Sequence, residues 1–199
     1  MSMEIYKAIA NRRSIYGINK ETVTSDERIQ EIIRYAVKHT PSAFNSQTGR
    51  AVLLLRNHHD RLWDITNKAL KAIVLAESFA ETEQKINSFR NGYGSILFFE
   101  DQKIVEGLQE SFPLYKDNFP VWSQHSSGIL QYITWTLLEA EGFGASLQHY
   151  SPLIESEVRE AWSIPESWKL IAQMPFGKPA APAGEKEFGP LEERVKVFG

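Results

Sequence analysis

The stretch Thr24 to Leu55, TSDERIQEIIRYAVKHTPSAFNSQTGRAVLLL, contains the three kinds of local structure from which the rest of the chain is built. Thr24 and Glu27 have the spacing of a capping box, and Ile29, Ile32, Ile33, Ala36 and Val37 follow at helical intervals. This predicts a helix that runs until Pro41, which has no N–H to continue it. The helix empties into a polar loop, Thr40 to Gly49, and the loop leads into Ala51-Val52-Leu53-Leu54-Leu55, a short apolar run that reads as a strand.

The same alternation extends in both directions. Upstream, Glu4 to Asn11 places Ile5, Ala8 and Ile9 on one helical face and delivers Arg12, Arg13 and Ser14 at the helix end, where cations suit the dipole. Downstream, a helical pattern runs from Asp60, an expected N-cap, to about Phe89, and Gly92 and Gly94 break it. Ser95 to Glu100 reads as a strand buried on both faces, and Val105 to Ser111 as a short helix. Phe112 to Trp122 carries two prolines among aromatics, so an irregular loop that can line a cavity is expected. Ser123 then caps a central core helix ending near Glu141, with Gly142 as its C-terminal cap. Gly144 to Tyr150 and Trp168 to Met174 read as strands, Ser156 to Trp162 as a helix, and Arg194 to Phe198 alternates like a half-exposed strand. Alternating helices and strands without repeats or linkers predict one domain over residues 1–199, a sheet with helices on both faces.

Composition narrows the function. The 25 acidic and 22 basic residues form no long run of one sign, so no nucleic-acid footprint is present. There is no cysteine, which excludes disulfides, thiolate nucleophiles and Cys-bound metals, and any redox chemistry must come from a bound cofactor. The N-terminus has no secretory pattern, and the apolar stretch Ile129 to Leu138 is half the roughly 20 residues of a membrane span, so a cytoplasmic protein with no membrane partner is expected.

Among polar clusters, His58-His59-Asp60 lacks a second ligand set and is read as a turn, not a metal site. His125 and His149 stand alone, and Gly142-Phe143-Gly144 lacks the register of a dinucleotide fingerprint. Arg12-Arg13-Ser14 combines two guanidinium forks and a hydroxyl, and is either a phosphate site or a solvated helix end. The hydroxyl and two carboxamides of Pro41 to Gln47 can pair with a heterocycle, or serve only as a turn.

In their order and spacing, Arg12-Arg13-Ser14, Pro41 to Gln47, Gly142 to Ser146 and Lys186 resemble the FMN-dependent nitroreductase family, in its short subgroup of the fatty-acid-repression-mutant type. The resemblance covers essentially the whole chain. It implies a three-layer α+β fold with a central, mainly antiparallel sheet, and a homodimer with FMN at the subunit interface and an exchanged C-terminal strand around Val195 to Phe198. By the same resemblance, Arg12, Arg13, Ser14 and Lys186 contact the phosphate and ribityl chain. Ser42, Ala43, Asn45 and Gln47 contact the flavin from the second subunit, and Gly144, Ala145, Ser146 and Leu147 pass its ring. Lys85 stands toward the pyrimidine end, and Tyr115, Phe119 and Trp122 wall the substrate pocket.

The implied activity is two-step hydride transfer through flavin N5, from NADH or NADPH to a nitroaromatic or quinone, with no catalytic side chain and no metal. A flavin-binding redox or lipid-linked regulatory protein with weak reductase activity is the alternative. Two departures stand out. Thr48 and Gly49 occupy positions where many family members have proline and an aromatic residue, and Phe188 replaces an arginine at the phosphate.

Overall fold

The structure, a computed structural model, describes residues 5–199. The first helix, α1, spans Ile5–Asn11, and the expected start at Glu4 lies outside the described residues. After β1 (Ile18–Asn19) come α2 (Asp26–His39) and β2 (Gly49–Leu55). The cap of α2 is Ser25 rather than Thr24, its hydroxyl accepting from the Arg28 N–H at 3.2 Å. The helical pattern after β2 resolves into two helices, α3 (Asn57–Lys71) and α4 (Phe79–Arg90), so Asp60 lies in the first turn of α3 and caps nothing.

Next come β3 (Gly94–Asp101), α5 (Gln102–Ser111) and α6 (Phe119–Ala140). The last begins four residues before the expected Ser123, because Pro120 falls in its first turn, where a missing N–H costs nothing and the fixed φ suits the helix. Phe119 and Trp122 are therefore helical, not part of a loop. Then β4 (Gly144–Ala145), α7 (Glu155–Trp162) and β5 (Trp168–Pro179) complete the order. The strand expected up to Tyr150 shortens to β4 and an isolated bridge at Gln148. Arg194 to Phe198 forms no strand within the chain.

The strands lie in the order β1-β5-β3-β2, all antiparallel, with β4 on β5. Period-two alternation along β3 splits the core in two. Ile96 and Phe98 face α2 and α6, joining Ile29, Ile33 and Leu130, while Leu97 and Phe99 face α3, α4 and α7, joining Trp63, Ile86 and Val158. A helix layer, a sheet and a second helix layer make the three-layer α+β fold.

The central helix is less enclosed than its sequence suggests. Leu130 and Leu138 are buried, but Ile129 and Tyr132 are exposed, and α1 exposes Ile5 (68%) and Tyr6 (82%). The last residues of the chain are more open still, with Val197 88% and Phe198 91% exposed.

Candidate functional site

Most sequence candidates gather along the outer side of α6. At its C-terminal half, Arg12 lays its guanidinium over Trp135, 4.3 Å from the ring centroid, with Tyr132 at 5.8 Å. Its Nε is buried and has no hydrogen-bond partner among the described residues. The stack fixes the fork and leaves donors uncommitted.

Two other segments reach the same corner. Ser14 bridges Ala145 in parallel, and the Ile15 N–H donates to the Ala145 carbonyl at 2.9 Å. The approach is tight, since a Cβ on Gly144 would lie 2.8 Å from Ile15, which is why glycine occupies that position. The C-terminal tail returns past α1, where Arg13 Nη2 donates to the Glu185 carbonyl at 3.3 Å and places Lys186 next to it. The ammonium of Lys186 sits 5.1 Å over the ring of Phe188, so the aromatic at the arginine position packs on the remaining cation. Arg12, Arg13 and Lys186 carry donors of the kind that bind a phosphate, with Arg12 lying over α6 and Arg13 reaching the tail beside Lys186.

Ser146 and Leu147 stand behind this corner: Ser146 is buried and accepts from Gln148 Nε2 at 3.1 Å, and Leu147 packs on the core. Lys85 is exposed on α4, and no hydrogen bond or ion pair joins it to another candidate among the described residues. One turn further on, Phe89 packs on Tyr16 with ring centroids 6.3 Å apart, which is the link from α4 to the segment after Ser14.

The loop before β2 meets the N-terminal half of α6. Phe44, Asn45 and Gln47 all have positive φ, at 58°, 48° and 48°. Three non-glycine residues in the left-handed region are strained, and such strain persists only where the surroundings impose it. The Gln47 N–H donates to Ser42 Oγ at 2.9 Å, and Arg50 Nη1 donates to the carbonyls of Gln47 (2.6 Å) and Gly49 (3.0 Å). Arg50 is held in turn by Asp101 at 3.0 Å. Thr48 is buried, and a Cβ on Gly49 would come within 3.1 Å of Leu130, so these two residues let the loop lie directly against α6.

Between the loop and the helix lies a cavity of about 450 Å³, with Ser42, Ala43 and Phe44 on one side and Trp122, His125 and Ser126 on the other. Phe44 stacks on Trp122 (6.1 Å, 20°) and also contacts Tyr115 and Phe119 at 6.0 and 5.3 Å. Of the three aromatics expected to wall a pocket, Trp122 lines the cavity, Phe119 is buried behind it, and Tyr115 flanks Trp122 at 5.8 Å. The sequence reading missed Phe44 and His125. An aromatic residue inside an otherwise polar loop was the available signal for the first, and the i, i+3 spacing of His125 from Trp122 for the second.

A carboxyl lies under the loop. Glu100 on β3 is fully buried and accepts the Ser123 hydroxyl at 2.7 Å, while its other oxygen has no partner. Burial pushes its pKa up, against the opposing pull of neighbouring hydroxyls. On the far face of the sheet His59 is also buried: its Nε2 donates to the Arg90 carbonyl at 3.1 Å, and its Nδ1 accepts from Ser95, 2.9 Å away. Burial lowers its pKa to about 4. His58 accepts from Trp162 Nε1 at 3.1 Å, and among the described residues no group of three or more His, Asp or Glu is placed to hold a metal.

The chain as a whole is similar to known proteins. The sequence profile described as the nitroreductase family matches residues 9–178. The chain is 37% identical over 185 residues to nitroreductase FRM2 of Saccharomyces cerevisiae, covering 91% of each chain. It is 46% identical to the nitroreductase CinD of Lactococcus lactis, solved in complex with nicotinic acid, with a TM-score of 0.92 over 98% of this chain and all of that one. A Desulfovibrio desulfuricans protein solved with FMN shares the fold at 21% identity and TM-score 0.71, over the full length of both chains.

Proposed function

The chain belongs to the nitroreductase family, and we propose that it acts as an FMN-dependent NAD(P)H oxidoreductase on nitroaromatic or quinone-type acceptors. The observation that carries this reading is the meeting of the α1 end, β4 and the C-terminal tail at one end of α6, with the polar loop at the other. An unpartnered buried guanidinium nitrogen and a close glycine approach suit the phosphate end of FMN. The free carboxamide of Asn45 and that of Gln47 suit a ring with alternating donors and acceptors.

FMN, when bound, would supply the hydride chemistry between a nicotinamide donor and the acceptor. The chain's residues bind and orient. Arg12, Arg13, Ser14 and Lys186 would hold the phosphate, Gly144 to Leu147 would lie beside the ring, and Lys85 would supply a cation toward its pyrimidine end. Ser42, Ala43, Asn45 and Gln47 contact the ring, and the Phe44 and Trp122 faces stack a flat acceptor. No general base is needed from the protein.

The loop and the Arg12 corner lie about nine residues apart on α6, roughly 13 Å along its axis, with the exposed Ile129 and Tyr132 between them. A second copy packed there about a two-fold axis brings the loop of one subunit to the phosphate corner of the other. The free edge of β2 is available to the partner's tail, Val195 to Phe198. Sedimentation tests this pairing: a flavin-loaded dimer is expected, and a monomer near 22.7 kDa contradicts it.

The activity is tested by an anaerobic absorption spectrum of the FMN-reconstituted protein. Bleaching by NADH or NADPH and recovery with a quinone is the expected result. A bound flavin that neither donor bleaches overturns the reading.

A further inference from the structure

The acceptor cavity is apolar and aromatic on most sides, and its polar groups are unequally occupied. Ser126 donates its hydroxyl to the Trp122 carbonyl at 3.1 Å, and Ser42 Oγ accepts the Gln47 N–H at 2.9 Å. His125, one turn beyond Trp122 and exposed at the cavity wall, has no hydrogen bond from either ring nitrogen among the described residues. The carboxylates nearest the cavity are engaged elsewhere, Asp101 by Arg50 at 3.0 Å and Glu100 by the Ser123 hydroxyl at 2.7 Å. No acidic residue lines this cavity or the smaller one of about 160 Å³ that shares Ser42 and Ser126 with it, while Lys38 and Arg50 line the latter.

Phe44 and Trp122 stack on each other, and a flat aromatic ring that enters the cavity lies against the outside of this aromatic pair, beside one uncommitted imidazole. An imidazole N–H donating to an anionic oxygen makes a charge-assisted bond, stronger than one to a neutral amide or nitro oxygen. We infer that His125 is a specificity residue of this pocket, selecting aromatic acceptors that carry a carboxylate or phenolate oxygen. The inference rests on the reading of the cavity as the acceptor site of a reductase.

The test compares 4-nitrobenzoate with its uncharged isostere 4-nitrobenzamide on the full-length, FMN-loaded protein. Equilibrium binding is read from the perturbed flavin absorbance, and turnover is measured separately. Binding of the anion about tenfold tighter than the amide is expected, a ratio that His125→Leu abolishes and His125→Gln, which keeps a donor, largely retains. No preference in the parent protein, or an equal loss of both ligands in His125→Leu, overturns the assignment. Discriminating binding without turnover of either compound leaves the His125 assignment standing and removes the reductase reading. Turnover of both without discrimination does the reverse.

Discussion

β3 carries one buried polar network on each face, and the two are built to opposite standards. On the α3 side, Ser95 accepts from Trp63 Nε1 at 3.0 Å and bonds His59, whose other nitrogen donates to Arg90, so every polar atom of the set is paired. On the α6 side, Glu100 keeps one oxygen unpaired, the Arg12 Nε is orphaned, and three residues of the adjoining loop are held at positive φ. A satisfied network rigidifies a core, while unpaired groups and strain are tolerated where a ligand or partner completes them. Both helix layers pack a core against the sheet, and the strained loop and the unpaired Glu100 oxygen lie on the α6 side.

Substitutions that separate these two layers test the contrast. The largest effect is expected from Trp63→Ala, which empties the closed layer and costs about 3–5 kcal/mol. Denaturant unfolding reads that loss, while FMN affinity of the folded fraction stays near that of the parent. If affinity falls in step with stability, the layers are not separable.

Acidification comes next. His59 titrates near 4 when folded against 6.5 when free, so the unfolded chain binds the extra proton and stability is lost as pH falls from 6.5 towards 4. The full drop is about 3 kcal/mol at 1.36 kcal/mol per pKa unit. His59→Gln is expected to lose most of that slope in a pH series of thermal melts.

On the open side, Arg12→Ala removes the proposed charge-assisted phosphate contact and is expected to weaken FMN about 30- to 100-fold by flavin fluorescence titration, with little change in melting temperature. Arg50→Met releases the Gln47 carbonyl and relaxes the strained loop. A loss of flavin affinity of about tenfold is expected there, with faster protease cleavage within residues 42–47.

The smallest effect is at Glu100. Burial raises its folded pKa, so its contribution to stability is present below the free carboxyl range and lost as pH rises through the raised value. Glu100→Gln is therefore expected to gain stability relative to the parent as pH rises from the carboxyl range to alkaline values. Melts at the two ends of that range check the sign, and equal shifts at both remove the titration argument.

Local periodicity carried most of the element order. The α2 pattern and the β3 run are found where the residues predict them, because each buries one face or both against neighbours in a regular way. The errors fell where two signals competed. Pro120 read as a helix breaker but sits in the first turn of α6, and Ser123, read as a cap, is a buried partner of Glu100. The reading of α6 as a core helix holds for Leu130 and Leu138 but not for Ile129 and Tyr132, because an apolar residue type by itself does not say which face of the helix meets the sheet.

The sequence by itself determined the composition limits, the family resemblance and the residue types at both ends of the proposed site, because donors, cations and glycines are chemical facts of the chain. Only the tertiary structure decided that Arg12 stacks on Trp135, that Arg50 holds the strained loop, and that Phe44 and His125 face a cavity. These relations join residues tens of positions apart. No local pattern encodes them, because side chains meet only after the sheet has fixed the distance and direction between the elements that carry them.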